Sequence, residues 1–397
     1  MPVNDRGEST ALIEPMTISE TSRYRDELLD IALELAKRSA AFKSSLPADF
    51  VPALATLVRS MNCYYSNLIE GHDTHPIEIE RALKQDFSAD PKQRDLQLEA
   101  KAHIEVQEWI DGGALAGRET HPDSLREIHR RFCEKLPGSL LWVEDRETGH
   151  RERVIPGAYR TGFVQVGRHI PVSPGALPRF MERFDRAYTR LNNLVAIIGT
   201  AGAHHRLLWI HPFADGNGRV ARLMSHAIML RTLETGALWS VSRGLARNVV
   251  DYKAHLASCD QSKRNDLDGR GNLSEESLAS FTRFFLSVCL DQVDFMEGLM
   301  NPTTLRKRII SWVDSEIGAG RLPNKAARLM EAVLYRGSLP RVELAPVLGL
   351  ADRSARRIAS SLVEVGVLTS ETHKSDLKLA FPAKLATIWM PNLFPQN

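Results

Sequence analysis

The chain lacks several features that would place it in a specialised class of protein. Its 397 residues include only four cysteines, Cys63, Cys133, Cys259 and Cys289, and no two of them form a Cys-x-x-Cys pair. We therefore expect neither a cysteine-based zinc site nor a disulfide framework, and a reducing compartment is the simplest setting. The N-terminus is acidic and lacks the apolar core of a signal peptide, and no apolar run approaches a membrane span. These absences predict a cytoplasmic protein with no membrane partner.

Neither sign of charge dominates the whole chain. It carries 51 Lys and Arg against 49 Asp and Glu, a formal net charge of +2, and 43% of its residues are hydrophobic. Residues 301–397 differ, with 14 Lys and Arg against 8 Asp and Glu, a formal +6; this leaves 37 against 41, a formal −4, for residues 1–300. A basic excess of this size is compatible with nucleic-acid contact without requiring it.

The most informative segment is 211–222, His-Pro-Phe-Ala-Asp-Gly-Asn-Gly-Arg-Val-Ala-Arg. The preceding run, 194–210, is apolar and predicts a buried helix, which Pro212 and the Gly216/Gly218 pair interrupt. Apolar periodicity resumes at Val220 and predicts a second helix. The motif therefore lies at a glycine-rich loop and a helix N-terminus, where exposed N–H groups and the helix dipole bind anions.

The charged side chains of this segment match the needs of phosphate chemistry. Arg219 and Arg222 are three apart, on one helix face, where two guanidiniums suit several phosphate oxygens. Asp215 is a hard oxygen ligand that fits Mg²⁺ bridging phosphates. His211 titrates near neutrality, as a general base for a hydroxyl should. A lone histidine or a lone Gly-Asn-Gly turn would more often be structural, but the combination indicates function.

This segment resembles the signature of the Fic (Fic/Doc) family, His-x-Phe-x-Asp/Glu-Gly-Asn-Gly-Arg-x-x-Arg, and every fixed position matches. The resemblance implies transfer of AMP from ATP to a Ser, Thr or Tyr hydroxyl of a target protein, with self-modification as a further option. The intact second glycine favours AMP transfer over phosphorylation. The phosphate-binding residues do not distinguish ATP from UMP, GMP or phosphocholine donors.

The resemblance also implies a role for each position of the motif. His211 would be the base and Asp215 the magnesium ligand. Gly216, Asn217 and Gly218 would form the anion hole. Arg219 would contact the inner phosphates and Arg222 the terminal phosphate. The intervening Val220 and Ala221 would also line the nucleotide site.

A second match lies upstream, at Ser66-Asn-Leu-Ile-Glu70-Gly71, which resembles the family's inhibitory pattern. Residues 51–69 have helical apolar periodicity, so Ser66 and Glu70 share a face and Gly71 is a natural C-cap, giving an inhibitory helix at about 51–71. Glu70 is expected to pair with Arg222 and withhold it from the terminal phosphate. The alternative is an ordinary surface glutamate. In some relatives the equivalent glutamate also supports AMP removal, and this option stays open.

Two further segments resemble parts of the family's site. Residues 153–170 predict a hairpin that resembles the flap on which the target docks as an added strand. Asn248 and Tyr252 resemble residues at the adenine end, where Asn248 would hydrogen-bond the nucleotide and Tyr252 would pack on it. The alternative for Tyr252 is an ordinary core aromatic. His72, next to Asp73, is expected in a polar turn and not in a metal site.

The expected fold is mainly α: a Fic-type helical bundle with a β-hairpin flap, followed by a winged helix-turn-helix domain. The predicted boundaries are 1–48 for a loose arm (1–20) and a helix (21–43), 49–300 for the Fic-like region, and 301–397 for the winged helix. In the last part, 342–348 and a helix capped by Asp352 form the helix-turn-helix, and Arg353, Arg356 and Arg357 would contact DNA. Such domains also serve as dimerisation or protein-docking modules, so a homodimer is an alternative.

Overall fold

The computed structural model describes residues 4–144, 151–235 and 237–394, and most of them are helical. Up to residue 300 the α-helices are α1 (Arg25–Ser45), α2 (Phe50–Ile69), α3 (Pro76–Leu83), α4 (Pro91–Asp111), α5 (Pro122–Cys133), α6 (Leu177–Tyr188), α7 (Asn193–Ile210), α8 (Asn217–Leu233), α9 (Val241–Arg247), α10 (Val249–Cys259) and α11 (Glu275–Met300). The prediction of a mainly α fold is confirmed. No helix of the described ranges combines the length and the hydropathy needed to cross a membrane.

Helices α7 and α8 form the centre of the molecule. Asn192 caps α7 through its side chain, which accepts a hydrogen bond from the Val195 N–H at 3.1 Å. Both helices are buried around most of their circumference, as expected for α7, which is apolar on all sides. One apolar cluster joins them to α1, α2, α9 and α11, and another joins them to α5 and α6. The loop between α7 and α8 is therefore held by two rigid helices.

The N-terminal arm was expected to be loose, but the structure packs it against the rest of the protein. Ile13, Met16 and Ile18 are buried. The backbone around them is bound as well, because the Leu273 N–H donates to the Glu14 carbonyl and the Arg206 guanidinium donates to the Pro15 carbonyl, both at 2.8 Å. The arm follows the body of the protein because its few apolar residues find places in the core, which a polar average over 1–20 conceals. The helix expected at 21–43 is α1.

The antiparallel hairpin lies before the predicted range. Strand β1 (Trp142–Glu144) pairs with β2 (Arg151–Arg153), and the connection 145–150 lies outside the described residues. Only Arg153 is shared with the expected hairpin at 153–170. In that range the described backbone has an isolated bridge between Val166 and His169. Beyond β2 the Val154 N–H still donates to the Leu141 carbonyl at 2.9 Å, and two residues later Pro156 has no N–H to donate.

The part that follows residue 300 packs onto the rest of the chain. Its elements are α12 (Pro302–Gly318), α13 (Ala326–Arg336), β3 (Ser338–Leu339), α14 (Leu344–Leu348), α15 (Asp352–Val365), β4 (Leu368–Thr369), β5 (Leu377–Leu379) and α16 (Ala386–Trp389). The strands form an antiparallel sheet of order β3-β5-β4. The order of elements suits the predicted winged helix, although the expected cap Asp352 is the first residue of α15 and Ala351 occupies the cap position.

The core of residues 301–394 is continuous with that of the preceding helices. Their apolar side chains belong to the same cluster as those of α2 and α11. The end of the chain returns to α2, where the Tyr65 hydroxyl donates to the Leu393 carbonyl at 2.9 Å and Phe394 packs edge-on to Tyr64. The predicted boundary at Asn301–Pro302 is a helix restart, since α11 ends at Met300 and Asn301 caps α12.

Candidate active site

The loop between α7 and α8 is shaped by two residues in the left-handed region. His211 ends α7 with φ of +50°, and Gly216 precedes α8 with φ of +79°. Asn217 braces the loop from inside: its amide donates to the Phe213 carbonyl at 2.8 Å and accepts from the Phe213 N–H at 3.0 Å. The Asn217 side chain therefore fixes the loop, and it leaves the predicted anion role to the backbone.

His129 supports the same loop from α5. Its ring stacks on Phe213 with centroids 4.0 Å apart. Its Nδ1 accepts from the Gly157 N–H at 2.9 Å, so Nε2 carries the proton and donates to the Asp215 carbonyl at 3.1 Å. Burial lowers the pKa of His129 to about 4, and the ring is neutral. No pattern in the sequence singled out this residue.

His211 is partly exposed, and its Nδ1 is a buried atom with no hydrogen-bond partner among the described residues. Burial and the nearby Arg160 guanidinium lower the pKa of His211 to about 4. The expectation of titration near neutrality is therefore wrong for this state. The imidazole is unprotonated at neutral pH, and it can accept a proton from a hydroxyl.

Arg160 ties the segment after the hairpin to the His211 loop. It is 3% exposed. Its guanidinium donates to the carbonyls of His211 at 2.8 Å, Gly162 at 2.9 Å and Val172 at 2.5 Å. Its own N–H donates to the Pro212 carbonyl at 2.9 Å. Burial lowers the pKa of Arg160 to about 10, which leaves it charged at neutral pH.

Arg222 is bound on two sides by the end of α2. Its Nη2 donates to Glu70 Oε1 at 2.5 Å, and its Nε donates to Ser66 Oγ at 2.9 Å. Gly71 then turns the chain with φ of +88°. Burial raises the pKa of Glu70, but the guanidiniums of Arg222 and Arg219 outweigh it, so the pKa lies below its usual range. The carboxylate is ionised, and together with Ser66 it takes up the Nε and Nη2 donors of Arg222.

Glu70 also lies against the first turn of α8. A Cβ added at Gly218 would collide with Glu70 Oε1 and would come within 3.1 Å of the Arg222 guanidinium. Glycine is needed here because backbone and carboxylate approach so closely. The acid therefore lies beside the N-terminus of α8, where the sequence predicted an anion site.

Arg219 is held from a different direction. Its Nη1 donates to Glu99 Oε1, its Nη2 lies 3.5 Å from Asp215 Oδ2, and its Nε has no partner among the described residues. Glu99, on α4, is fully buried and also contacts His72 Nδ1 at 2.7 Å. His72 directly follows the turn at Glu70 and Gly71, and its ring is bound by Glu99. Glu99 was not predicted from the sequence, because its partners are remote in the chain.

The two residues expected at the adenine end are engaged by the protein itself. The Asn248 amide donates to the Gly244 carbonyl at 2.9 Å. Tyr252 is 2% exposed and its hydroxyl bonds His204 Nε2 at 2.6 Å, while His204 Nδ1 bonds Ser225 Oγ at 2.9 Å. In this state Tyr252 offers no face to a base, which favours its interpretation as a core aromatic.

Asp215 is the acidic side chain of the loop, and its carboxylate is about half exposed. Within the described ranges, no group of three or more His, Cys, Asp or Glu side chains is arranged to hold a metal. All four cysteines are buried free thiols.

Residues 119–229 match the model of the Fic/DOC family. The chain contains a Fic domain. The matched range includes the whole 211–222 motif, whereas Ser66, Glu70 and Glu99 lie outside it.

Similar proteins include two named Protein adenylyltransferase Fic. The chain is 31% identical over 220 residues to that of Nematostella vectensis, covering 54% of this chain and 47% of the relative. It is 29% identical over 170 residues to that of Drosophila erecta, covering 42% of this chain and 31% of the relative. The chain thus spans less than half the length of these curated relatives.

Solved structures share the fold. A Fic family protein from Desulfovibrio desulfuricans G20 superposes with a TM-score of 0.53 at 16% identity, covering 92% of this chain and 98% of that one. A Fic domain containing signaling protein from Bacteroides thetaiotaomicron VPI-5482 gives a TM-score of 0.50 at 18% identity, covering 67% and 95%. At these identities the likeness concerns the fold alone.

Proposed function

We propose that this protein is an adenylyltransferase that moves AMP from ATP to a Ser, Thr or Tyr hydroxyl of a target protein, and that Glu70 holds it inactive. The observation that carries the proposal is one site that combines a neutral His211, two buried arginines and a helix N-terminus, with an ionised Glu70 seated among them. The names of the relatives support the same activity.

The reaction would use these groups in a simple order. His211 takes the proton of the target hydroxyl as the oxygen attacks the α-phosphorus of ATP. A bond forms between that oxygen and phosphorus, the bond to the pyrophosphate oxygen breaks, and pyrophosphate leaves. Arg219, Arg222 and the first N–H groups of α8 would stabilise the phosphate charge. The bound phosphates would also raise the pKa of His211 and make it a stronger base.

Asp215 is suited to a magnesium ion. Mg²⁺ in phosphate sites is commonly held by one or two carboxylates together with the phosphates, and the Asp215 carboxylate is half exposed beside Arg219. Magnesium would neutralise phosphate charge when bound.

Inhibition follows from where Glu70 lies. Its carboxylate accepts from Nη2 of Arg222 and fills the space over Gly218, and a phosphate would need both the donor and the space. ATP would then bind in an unproductive pose or not at all. A glutamate here would also be placed to align a water for AMP removal, and that reverse reaction remains an alternative.

The target would dock beside the His211 loop on residues 153–170. Four apolar side chains of this segment, Ile155, Phe163, Val166 and Ile170, are between 43% and 63% exposed. The segment is fixed to the His211 loop by Arg160 and to the last turn of α7 by His169, whose Nε2 contacts the Trp209 carbonyl at 2.7 Å. An extended target segment would therefore meet an apolar, immobilised edge next to the base.

The test is a transfer assay with magnesium on lysate and on the protein itself, using wild type, Glu70→Gly and Glu70→Gly/His211→Ala. ATP labelled at the α-phosphorus should mark protein with Glu70→Gly only, and ATP labelled at the γ-phosphorus should mark nothing. Label from γ-labelled ATP would indicate phosphorylation instead. Competition by UTP, GTP and CDP-choline would identify another donor. Equal labelling by wild type and Glu70→Gly would refute inhibition.

A second function, DNA binding through residues 301–397, is supported by one observation. Arg353, Arg356 and Arg357 are exposed on α15, the helix predicted to read DNA. The full chain must be used, because this part shares its core with α2 and α11. Duplex binding should weaken when the three arginines become alanine, and should not when Arg306, Lys307 and Arg321 do. Equal loss in both would indicate non-specific charge attraction.

A further inference from the structure

We infer that Glu99 is a positioning residue that holds Arg219 ready for phosphate and, through His72, fixes the turn that carries Glu70. The inference rests on the proposed function. It concerns α4, which lies outside the family-matched range 119–229 and before the motif.

Glu99 belongs to a buried polar stripe along α4. Glu99, His103, Gln107 and Asp111 are four residues apart, so they share one helix face, and none of the first three is more than 1% exposed. The stripe faces α8, where Glu99 contacts Arg219 and Asp111 contacts His226 at 2.6 Å. Burial lowers the pKa of His103 to about 3 and leaves it neutral. Glu99 is thus the carboxylate that α4 presents to the arginines of the site.

Each oxygen of Glu99 serves a different element. Oε1 accepts from Arg219 Nη1, and Oε2 contacts His72 Nδ1 at 2.7 Å. His72 lies two residues after Glu70, and its N–H donates to the Asn67 carbonyl at 2.9 Å, so the turn folds back on α2. One fully buried carboxylate therefore joins a phosphate-binding arginine to the inhibitory turn. A buried carboxylate is costly unless its partners are well placed, so both contacts constrain it.

The contact defines how Arg219 can act. With Nη1 held by Glu99, Nε is buried and has no partner among the described residues, so a phosphate oxygen that reached it would supply the missing hydrogen bond. Without the Glu99 charge, the nearest carboxylate is Asp215, now 3.5 Å from Nη2. Arg219 would turn toward Asp215, and an ion pair between them would make both side chains less available to ATP. Glu99 should therefore matter for binding the polyphosphate and not for binding the nucleoside.

The first test measures binding in the open site. In the Glu70→Gly background, Glu99→Gln should weaken ATP binding about tenfold by titration calorimetry, leave adenosine binding unchanged, and be partly rescued by Glu99→Asp. The matched control is Glu105→Gln on the same helix, whose carboxylate pairs with Lys135 away from the site. Thermal melting of each variant reports folding. Unchanged ATP affinity with a lowered melting temperature would reduce Glu99 to a structural role and overturn the inference.

The second test concerns the turn. His72→Ala should raise AMP transfer several-fold in wild type and should not in Glu70→Gly, because it acts through Glu70. Amide hydrogen exchange over residues 66–72 should become faster. Unchanged exchange, or an equal effect in both backgrounds, would overturn this part. If Glu70→Gly itself transfers no label, the proposed function fails, and the calorimetric and exchange results still decide the role of Glu99.

Discussion

The contact between Glu70 and Arg222 leads to a quantitative prediction for Glu70→Gln. The substitution keeps the shape of the side chain and removes its charge. Hydrogen bonds to charged groups stabilise by about 1.5–3 kcal/mol net, and the Glu70 side chain is 31% exposed, which favours the lower part of that range. A loss of about 2 kcal/mol corresponds to about a 30-fold shift toward the open state. AMP transfer should rise by that factor if the wild type is mostly closed.

Ser66→Ala is the graded comparison. The Ser66 hydroxyl accepts from Arg222 Nε at 2.9 Å without adding charge. Its loss should cost about 1 kcal/mol, or about fivefold. Transfer should therefore increase in the order wild type, Ser66→Ala, Glu70→Gln, and finally Glu70→Gly, which also empties the space over Gly218.

Stability gives an independent readout of the same contact. Without Glu70 the Arg222 charge is left buried and without its carboxylate, so Glu70→Gln should melt at a lower temperature than wild type. Magnesium-ATP should restore that loss, because phosphate replaces the carboxylate, and the ATP-induced shift should exceed that of wild type. Equal transfer rates together with equal ATP-induced shifts in wild type and Glu70→Gln would refute the reasoning.

Three other predictions concern the role of His211, the stability of the protein at acidic pH, and the packing of the last helix. His211→Ala should abolish AMP transfer by Glu70→Gly without changing the circular dichroism spectrum, because the base is lost while Asn217 still holds the loop. Residual transfer above one hundredth of the Glu70→Gly rate would contradict the role assigned to His211. The melting temperature should fall as the pH drops from 6.5 toward 4. Burial depresses the pKa of several histidines in the folded protein, so between these pH values they take up protons only in the unfolded chain. A melting temperature that does not change over this range would contradict the burial of these histidines in neutral form. These histidines are His103, His129, His204, His205 and His211. Trp389→Ala should destabilise by about 3–5 kcal/mol in chemical denaturation, since the ring is buried against Trp312 at the joint between the last helix and α12; exposed Ile388→Ala is its control.

The helical content and the Fic-type motif could be predicted because they depend on local spacing. Glycines, arginines and a histidine within twelve residues fix a helix N-terminus and its charges, whatever packs around them. Ser66 and Glu70, four apart before a glycine, likewise had to share a helix face. The match of residues 119–229 to the Fic/DOC family confirms the resemblance that the motif carried.

Tertiary structure decided which distant groups complete the site. Glu99 lies 120 positions before Arg219, and Arg160 lies 51 before His211, so no periodicity could pair them. The position of the hairpin depended on which residues pair between its two strands. The paths of the N-terminal arm and of the last described residues depended on apolar packing sites that exist only in the folded core. By itself the sequence determined which chemical groups the motif carries, because those groups are close together in the chain. Burial and long-range contacts decided the neutral state of His211, the position of Glu70 and the contacts that hold Arg219.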